Sequence, residues 1–498
     1  ERPGKDDQSL EGLLKYLDGV KSKYVSVLKP AEIRVTVDRD NRAHIRFFNF
    51  PGGGFSAVID ANKLSSFQTW VLILVGLTVV VDGFDVQAMG FVAPAIIQAW
   101  GVDKASLGPV FGAGLFGMLV GSLAFSVLAD RIGRRPVLIG ASVFFGLVML
   151  ATAHVTTLSE LMAMRFVAGL GLGAIMPNAM ALAGEFSPKR KRVSLMMWVS
   201  CGFTVGAVLG GLLSSVMIPA WGWQSVFHLG GAIPLVLAVL MYFQVPEAMQ
   251  FLVVRGKNTE RVAQCLRKID PRLHFDRDTR YLVPEAKGGA PVAELFRGGR
   301  ARGTVLLWVI NFMNLLNLYF LANWLPTIAK AAGLPLATAV LIGTMLQLGG
   351  VVGTVVMGPV IDRFGFYKVL VPGFLIAALT IAMIGRPGIS LPLLFTVVTI
   401  TGLCIIGGQP AVNALAATYY PTSERSTGIG WSLGIGRVGS IVGPVLGGEL
   451  IRLKWSNGDI FLALAVPVVI SALMLLLMAL DSRGKATSAR GATASLAH

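Results

Sequence analysis

Charge and cysteine are both scarce in this chain. Only 14% of its 498 residues are Asp, Glu, Lys or Arg, whereas a soluble domain carries about a quarter. The three cysteines, Cys201, Cys265 and Cys404, stand far apart and the five histidines are scattered, so neither a disulfide framework nor a metal cluster is indicated. No nucleophile–base motif or phosphate-binding loop occurs either. We therefore expect neither an enzyme nor a bound cofactor or metal.

Long apolar runs make up most of the sequence instead. Hydrophobic residues account for 54% of the chain, and the mean hydropathy is +0.69. Runs of about 18 to 25 residues are long enough to cross a hydrocarbon core of about 30 Å. We find twelve of them, centred near residues 80, 117, 145, 172, 205, 234, 315, 348, 376, 402, 440 and 471. The expected fold is an all-α membrane protein with twelve transmembrane helices.

The net charge of +16 is unevenly placed along the chain. If each loop is numbered by the span that it follows, basic residues concentrate in the even-numbered loops and in the C-terminal tail. The positive-inside rule then places both termini in the cytoplasm. We therefore expect a multi-pass membrane protein, surrounded by lipid bilayer and without a nucleic-acid partner. The two ends of the helical bundle are called the odd-loop end and the even-loop end below.

Two six-helix blocks repeat each other at a constant distance. Asp130-Arg131 recurs as Asp362-Arg363, Pro177 as Pro410 and Gly206 as Gly439, always at an offset of 232 or 233 residues. Transporters are commonly built from such repeats, with the site at their interface. The expected segments are an N-terminal extension at 1–60, helical blocks at 61–245 and 303–482, a cytoplasmic central loop at 246–302 and a cytoplasmic tail at 483–498. Residues 24–50 of the extension alternate as β-strands do.

Two acidic residues lie inside the first apolar run. A carboxylate in hydrocarbon costs several kcal/mol unless it is protonated, paired or facing water, so Asp82 and Asp85 are candidates for function. They are three positions apart and share one face of a helix. The repeat maps them onto Asn314 and Asn317. We expect proton handling in the first block, polar substrate contacts in the second, and at least one carboxylate that water can reach.

The loops after spans 2 and 8 both contain Asp-Arg-x-Gly and then basic residues. Together with the repeated blocks, they resemble the major facilitator superfamily over about residues 66 to 482. The resemblance implies two six-helix bundles and a conformational latch, in which the loop aspartate caps and ion-pairs with a neighbouring helix end in one access state. Simple anchoring of topology by positive charge is the alternative. We assign the role of the latch to eight gating residues, which are Asp130, Arg131, Gly133, Arg134, Asp362, Arg363, Gly365 and Arg425.

Arg165 begins a run with glycine at positions 169, 171 and 173 in span 4. This run resembles the superfamily's fourth-helix motif, which is linked to proton transfer. An arginine at this depth must find an anion or water, and Asp82, Asp85 or a substrate carboxylate are the candidates. Snorkelling of Arg165 to the membrane interface is the alternative.

Three further segments resemble the aromatic acid:proton symporter family. They are Asp-Gly-Phe-Asp-x-Gln-Ala from Asp82, Pro246-Glu247 after span 6, and the stretch from Gly430 to Arg437 in span 11. The resemblance implies inward transport of a small aromatic carboxylate, such as hydroxybenzoate, protocatechuate or benzoate, with the proton gradient as the energy source. We expect a functional monomer. The implied proton-coupling residues are Asp82, Asp85, Arg165 and Glu185.

Arg437 is the predicted partner of the substrate carboxylate, because a guanidinium presents a planar fork that matches it. An ion pair with an acidic side chain such as Glu449 is the alternative. Uncharged amides suit ring hydroxyls, although they also serve as interhelical hydrogen bonds. The remaining candidate substrate contacts are Asn314, Asn317, Gln409, Asn413 and Trp431.

Three other functions stay open. Exporters of drugs or metabolites on this fold carry Gly-Pro-x-x-Gly-Gly in span 5, but here that motif stands in span 11, at Gly443 to Gly448. A symporter for a non-aromatic organic acid fits the same charges. A nutrient sensor whose N-terminal extension recruits a partner is the third alternative.

Overall fold

The computed structural model describes residues 32–37, 43–48, 59–60, 62–254, 259–269, 291–421 and 424–495. Two antiparallel strands, β1 (Glu32–Val37) and β2 (Ala43–Phe48), form a hairpin in the N-terminal extension. Glu32 pairs with Phe48 and Val37 pairs with Ala43. The β-like alternation in the sequence is thus confirmed. Everything that follows the hairpin in the described chain is helix or connecting loop.

Twelve helices in the described residues are long and apolar enough to span a membrane. The first block contains α1 (Ser66–Trp100), α2 (Leu107–Ile132), α3 (Arg134–Thr152), α4 (Leu158–Phe186), α5 (Arg192–Trp221) and α6 (Gln224–Gln244). Many large apolar side chains on these helices are exposed, among them Leu123, Val216 and Phe243. Such a surface suits lipid rather than water.

Two short helices, α7 (Met249–Val254) and α8 (Thr259–Ile269), follow the first block. The second block contains α9 (Ala301–Ala331), α10 (Leu336–Phe364), α11 (Phe366–Ile384), α12 (Leu391–Ile405), α13 (Gly408–Tyr419), α14 (Arg425–Arg452) and α15 (Asn457–Ser495). The tenth span consists of two helices, α12 and α13, with a break at Ile406 and Gly407. The predicted fold class is confirmed.

Packing divides the described chain into two compact units. The smaller combines the chain up to Trp70 with Glu185–Val193 and the segment from Ala248 to Ala286. Inside it, the Gln68 side chain donates a 2.8 Å hydrogen bond to the Phe186 carbonyl. The larger unit contains the transmembrane parts of both six-helix blocks. The site residues discussed below belong to the larger unit, apart from Glu185.

The internal duplication is visible in how the helices touch. A Cβ on Gly206 of α5 would overlap the Val80 carbonyl of α1. In the second block, a Cβ on Gly439 of α14 would overlap the Phe312 carbonyl of α9 in the same way. The two contacts are related by the same offset of 232 or 233 residues that the sequence shows.

A second pair of contacts repeats with the same spacing. Gly117 of α2 packs on the Phe166 carbonyl of α4, and Gly349 of α10 packs on the Thr399 carbonyl of α12. Each glycine lets two helix backbones approach more closely than any side chain would allow. The sequence repeat is therefore a structural repeat, which places the equivalent residues of the two blocks at equivalent positions.

The two blocks contact each other at the odd-loop end. A Cβ on Gly448 of α14 would lie 2.9 Å from the Ala105 carbonyl oxygen and 3.1 Å from the Gly108 Cα of α2. The rings of Phe111 in α2 and Trp324 in α9 meet edge to face, with centroids 5.1 Å apart. Backbone contact of this kind leaves no room for a substrate between α2 and α14 at this end.

Candidate functional site

Asp82 and Asp85 lie in the middle of α1 and are enclosed by protein. Their exposed fractions are 1% and 0%. Asp82 Oδ1 and both carboxylate oxygens of Asp85 have no hydrogen-bond partner in the described part of the chain. Unpartnered buried carboxylates are costly, so they indicate a site where a proton or a ligand completes the bonding.

Asp85 points into the first block. Its Oδ1 atom packs against Gly230 of α6, so closely that a Cβ on Gly230 would be only 2.5 Å from that oxygen. Arg165 of α4 donates a 3.4 Å hydrogen bond from Nη2 to the Asp85 backbone carbonyl. The Arg165 guanidinium is also close enough to attract the Asp85 carboxylate electrostatically. Asp85 and Arg165 thus lie near each other inside one six-helix block, and Arg165 contacts the Asp85 backbone rather than its carboxylate.

Asp82 is placed differently. Its carboxylate is close enough to the Arg437 guanidinium to be attracted electrostatically. Arg437 is half-buried on α14 in the second block. The two carboxylates also influence each other. Although the aspartates share one side of α1, the nearby cation of Asp85 belongs to its own block and that of Asp82 belongs to the opposite block. The sequence placed both on one face and did not distinguish these surroundings.

Neither carboxylate is exposed to water in this conformation. We expected at least one to be reachable from water, and the exposed fractions given above contradict this for the state described here. The cause is close packing around α1, since Gly83 lies against the Phe203 carbonyl of α5 and Gly230 against Asp85.

Arg165 does not snorkel to the membrane interface. Its exposed fraction is 4%, and its Nη1 lies 3.4 Å from the Met149 sulfur of α3. The alternative of an interfacial arginine is therefore wrong. Gly114 of α2 faces the base of the Arg165 side chain, where a Cβ would lie 3.8 Å from Nε. The Arg165 side chain is therefore packed between α2 and α3 inside the first block.

The polar residues of the second block form one connected network. Gln409 Nε2 donates to Asn311 Oδ1 at 2.8 Å and to Asn413 Oδ1 at 3.2 Å, while Gln409 Oε1 accepts a 2.6 Å bond from Asn314. Asn311 in turn donates to the Ser432 hydroxyl at 2.6 Å. The amides therefore join α9, α13 and α14, which is the interhelical alternative raised above.

Two amide oxygens of the second block remain unpartnered within the described residues. They are the Oδ1 atoms of Asn314 and Asn317, both buried. The Asn317 amide donates to the Met313 carbonyl of its own helix at 3.1 Å. These asparagines occupy the positions equivalent to Asp82 and Asp85, and each keeps one oxygen available for a hydroxyl donor.

Trp431 of α14 packs against a ring of α9. Its exposed fraction is 45%, and its ring stacks on Trp308 of α9 with centroids 5.9 Å apart. Trp431 and Arg437 are six residues apart on α14, which turns their side chains to different sides of the helix. A substrate contact at Trp431 stays a prediction.

Glu185 lies at the far end of α4 from Arg165. The twenty residues between them correspond to about 30 Å of helix. A Glu185 oxygen accepts a hydrogen bond from the Gln250 backbone N–H, at the start of α7. The role of Glu185 in proton coupling stays a prediction.

The first gating loop is organised by a residue that the sequence did not assign. Gly133 has φ of +106° and joins α2 to α3. Glu247, after α6, accepts hydrogen bonds from the backbone N–H groups of Arg134 and Arg135 at 3.0 and 3.1 Å. Asp130 is exposed and has no hydrogen-bond or ion-pair partner among the described residues. The predicted contact of Asp130 with a helix end is thus not made in this state.

The second gating loop has the same backbone. Gly365 joins α10 to α11 with φ of +85°, which matches Gly133. Asp362, Arg363 and Arg425 are exposed. The Arg363 guanidinium lies over the ring of the adjacent Phe364, 5.3 Å from its centroid.

Two residues of the site were missed by sequence reasoning. Glu247 stands in the Pro-Glu pair after span 6, so a signal existed, but only the fold shows that it caps α3. Gly230 carries no signal in the sequence, because its neighbour Asp85 is far away along the chain.

Within the described residues, no group of three or more His, Cys, Asp or Glu side chains is placed to hold a metal ion.

Comparison with known proteins agrees with this architecture. The family model of the Major Facilitator Superfamily matches residues 75–269 and 307–497. The chain is 43% identical to the 4-hydroxybenzoate transporter PcaK of Pseudomonas aeruginosa, over 86% of this chain and 96% of the relative. It is 38% identical to the gallate transporter of Pseudomonas putida, over 84% of this chain and 93% of that protein.

Solved structures show the same fold at low sequence identity. A bacterial homologue of the human lysosomal transporter Spinster, inward-facing and occupied, aligns with a TM-score of 0.64 at 17% identity. The alignment covers 82% of this chain and 96% of that one. From the matched family model and the two duplicated six-helix blocks, we conclude that the chain belongs to the major facilitator superfamily.

Proposed function

We propose that this protein imports small aromatic carboxylates across the bacterial inner membrane together with protons, by alternating access. The observation that carries the proposal is the pair of unpartnered, enclosed carboxylates on α1 with a cation from each block beside them. The names of the relatives support the substrate class, since they transport 4-hydroxybenzoate and gallate.

Arg437 supports a direct link between substrate and proton. It is the cation that acts on Asp82, and a substrate carboxylate would be attracted to the same guanidinium. When the substrate binds Arg437, Asp82 loses its compensating charge, and protonation removes the resulting cost. Substrate binding and proton uptake therefore favour each other at one place between the two blocks.

The distribution of basic loops supports the direction of the cycle. Under the positive-inside rule the odd-loop end faces outward, and the contact between Gly108 and Gly448 then closes the outer side. In the opposite state that contact opens, and the carboxylates gain access to the outer water. Rocking of two duplicated halves around a central site is the usual mechanism of such repeats.

The second block suits a hydroxylated ring. The unpartnered Asn314 and Asn317 oxygens are acceptors that a phenolic hydroxyl can satisfy. The remaining amide groups are occupied by the Gln409 network, which fixes the positions of these acceptors. We therefore propose that hydroxybenzoates are preferred over benzoate, and that one chain carries out the cycle.

Uptake into proteoliposomes tests the proposal. Labelled 4-hydroxybenzoate, gallate and benzoate are offered with the outside more acidic than the inside, and cyclohexanecarboxylate serves as a non-aromatic competitor. We expect accumulation that collapses when the pH gradient is removed. Accumulation without a pH gradient, or full competition by cyclohexanecarboxylate, would refute proton coupling or aromatic selectivity respectively.

Three variants separate the roles of the buried charges. Asp85→Asn is expected to abolish pH-driven accumulation while keeping exchange of labelled for unlabelled substrate. Arg437→Gln is expected to raise the substrate KM about tenfold or more, because charge-assisted hydrogen bonds contribute about 1.5–3 kcal/mol. Asp103→Asn, on the exposed odd loop between α1 and α2, is the matched control and leaves both unchanged. Wild-type accumulation in Asp85→Asn contradicts the coupling role, and an unchanged KM in Arg437→Gln contradicts the substrate role.

A further inference from the structure

A cavity lies at the odd-loop end of the second block, and none of the buried charged residues lines it. Its volume is about 670 Å³, within the usual range of small-molecule sites. The walls come from the end of α9, the loop between α11 and α12, and the start of α15. They are mostly apolar, and Arg386 is the one charged residue among the lining residues. The central exchange of protons and substrate makes no use of this cavity.

The equivalent place in the first block is filled by aromatic rings. Trp100, at the end of α1, meets Trp223 edge to face with centroids 5.6 Å apart. Trp223 meets Phe227 in the same manner at 5.7 Å. The imidazoles of His154 and His228 lie beside each other, with centroids 5.4 Å apart. These rings join the ends of α1, α3 and α6.

The backbone establishes which residues correspond. Trp100 precedes Gly101, which has φ of +63°, and Ala332 precedes Gly333, which has φ of +94°. Both tryptophan and alanine therefore stand at the same point of a repeated turn. Ala332 lines the cavity.

The other two walls correspond in the same way. Trp223 immediately precedes α6, and Ser456 immediately precedes α15, where its hydroxyl accepts a hydrogen bond from the Asp459 backbone N–H. His154 and Arg386 each follow the residue that caps the third helix of their block. In the second block, small residues thus replace two indole rings, and an arginine replaces a histidine.

Arg386 is available to an anion. Its side chain is exposed, and it makes no hydrogen bond or ion pair with any described residue. In contrast, Arg452, at the same end of the bundle, is paired with Glu449 at 2.6 Å. A free guanidinium beside apolar walls favours a ligand with an apolar body and a carboxylate.

We propose that this cavity is a second binding site for a small aromatic carboxylate, whose ring occupies the place of the missing indoles and whose carboxylate pairs with Arg386. The ligand class is that of the proposed cargo, and in this respect the inference rests on the proposed function. The site is separate from Arg437 and holds the ligand at the end where cargo would arrive. A wall that accepts indole rings in one block accepts a benzene ring in the other.

Binding stoichiometry tests the assignment. The full-length protein is placed in lipid nanodiscs, and labelled 4-hydroxybenzoate is titrated by equilibrium dialysis. We expect two equivalents for the wild type and one for Ala332→Trp, which restores the residue of the first block. Ala331→Trp is the matched control, because Ala331 is exposed but does not line the cavity, and it keeps both equivalents. Arg386→Ala is expected to weaken the affinity of one equivalent about tenfold.

The outcomes separate this site from the transport site. Arg437→Gln should weaken the affinity of the other equivalent about tenfold or more and leave the one that Ala332→Trp removes unchanged. If Ala332→Trp binds as much 4-hydroxybenzoate as the wild type, the inference is wrong. It is also wrong if native mass spectrometry finds a phospholipid that Ala332→Trp displaces while 4-hydroxybenzoate binding is unchanged. If the wild type binds a single equivalent that Ala332→Trp removes and Arg437→Gln leaves unchanged, the proposed function fails and the second site stands.

Discussion

The contact between α2 and α14 predicts how one methyl group shifts the transport cycle. In Gly448→Ala, the new Cβ would lie 2.9 Å from the Ala105 carbonyl oxygen and 3.1 Å from the Gly108 Cα. Both neighbours are backbone atoms of the other block, so neither can rotate away. The two blocks must separate slightly, and the state in which they touch at the odd-loop end loses stability.

The expected size follows from overpacking. Inserting one methyl group into a close contact costs about 1–3 kcal/mol. The state in which the blocks are separated at this end has no such clash. The equilibrium between the two states therefore shifts toward the separated state by about 5- to 150-fold. Gly434→Ala is the matched control, because Gly434 lies on the same helix and a Cβ there meets nothing within 4 Å.

Electron–electron distance measurements make the shift visible. Spin labels on Lys104→Cys and Leu453→Cys report on the odd-loop ends of the two blocks, and both sites are exposed. The three native cysteines are replaced by serine. We expect Gly448→Ala to move the population toward longer distances and Gly434→Ala to leave it unchanged. Identical distributions for Gly448→Ala and the parent, or an equal shift in both variants, would refute the argument.

The remaining predictions concern single contacts. Glu247→Ala removes both backbone caps at the start of α3 and should cost about 1–2 kcal/mol, measured as a lower thermal unfolding midpoint; an unchanged midpoint contradicts the capping role. Gln409→Leu leaves buried amides unpaired at about 1–3 kcal/mol each and should lower the midpoint further, whereas equal midpoints would show that these bonds contribute nothing. Gly230→Ala places a methyl group against the Asp85 carboxylate and should reduce pH-driven uptake more than exchange; equal losses would indicate a general packing defect.

Sequence patterns that involve many residues predicted the fold well. The twelve apolar runs and the offset of 232 or 233 residues depend on many residues at once, so tertiary context does not overturn them. Gly133 and Gly365 were assigned from the repeated loop motif, and both have a positive φ, a conformation that favours glycine.

The surroundings of individual side chains could not be predicted as well. The sequence gives the angle between Asp82 and Asp85 on α1 but not which helix lies opposite each of them, and that decides which arginine each one meets. Trp431 was assigned by its distance along the chain from Arg437, although it stacks on Trp308 of another helix. Glu185 was assigned by resemblance, and its position on α4 depends on a helix length that a motif does not contain.

The duplicated architecture also supplies its own mutational design. Because each residue of one block has a counterpart at the same backbone position in the other, the chain already records which side chains a given location tolerates. Exchanging counterparts, as in Ala332→Trp or an asparagine for Asp85, tests function with substitutions that the neighbouring half of the same molecule already accommodates.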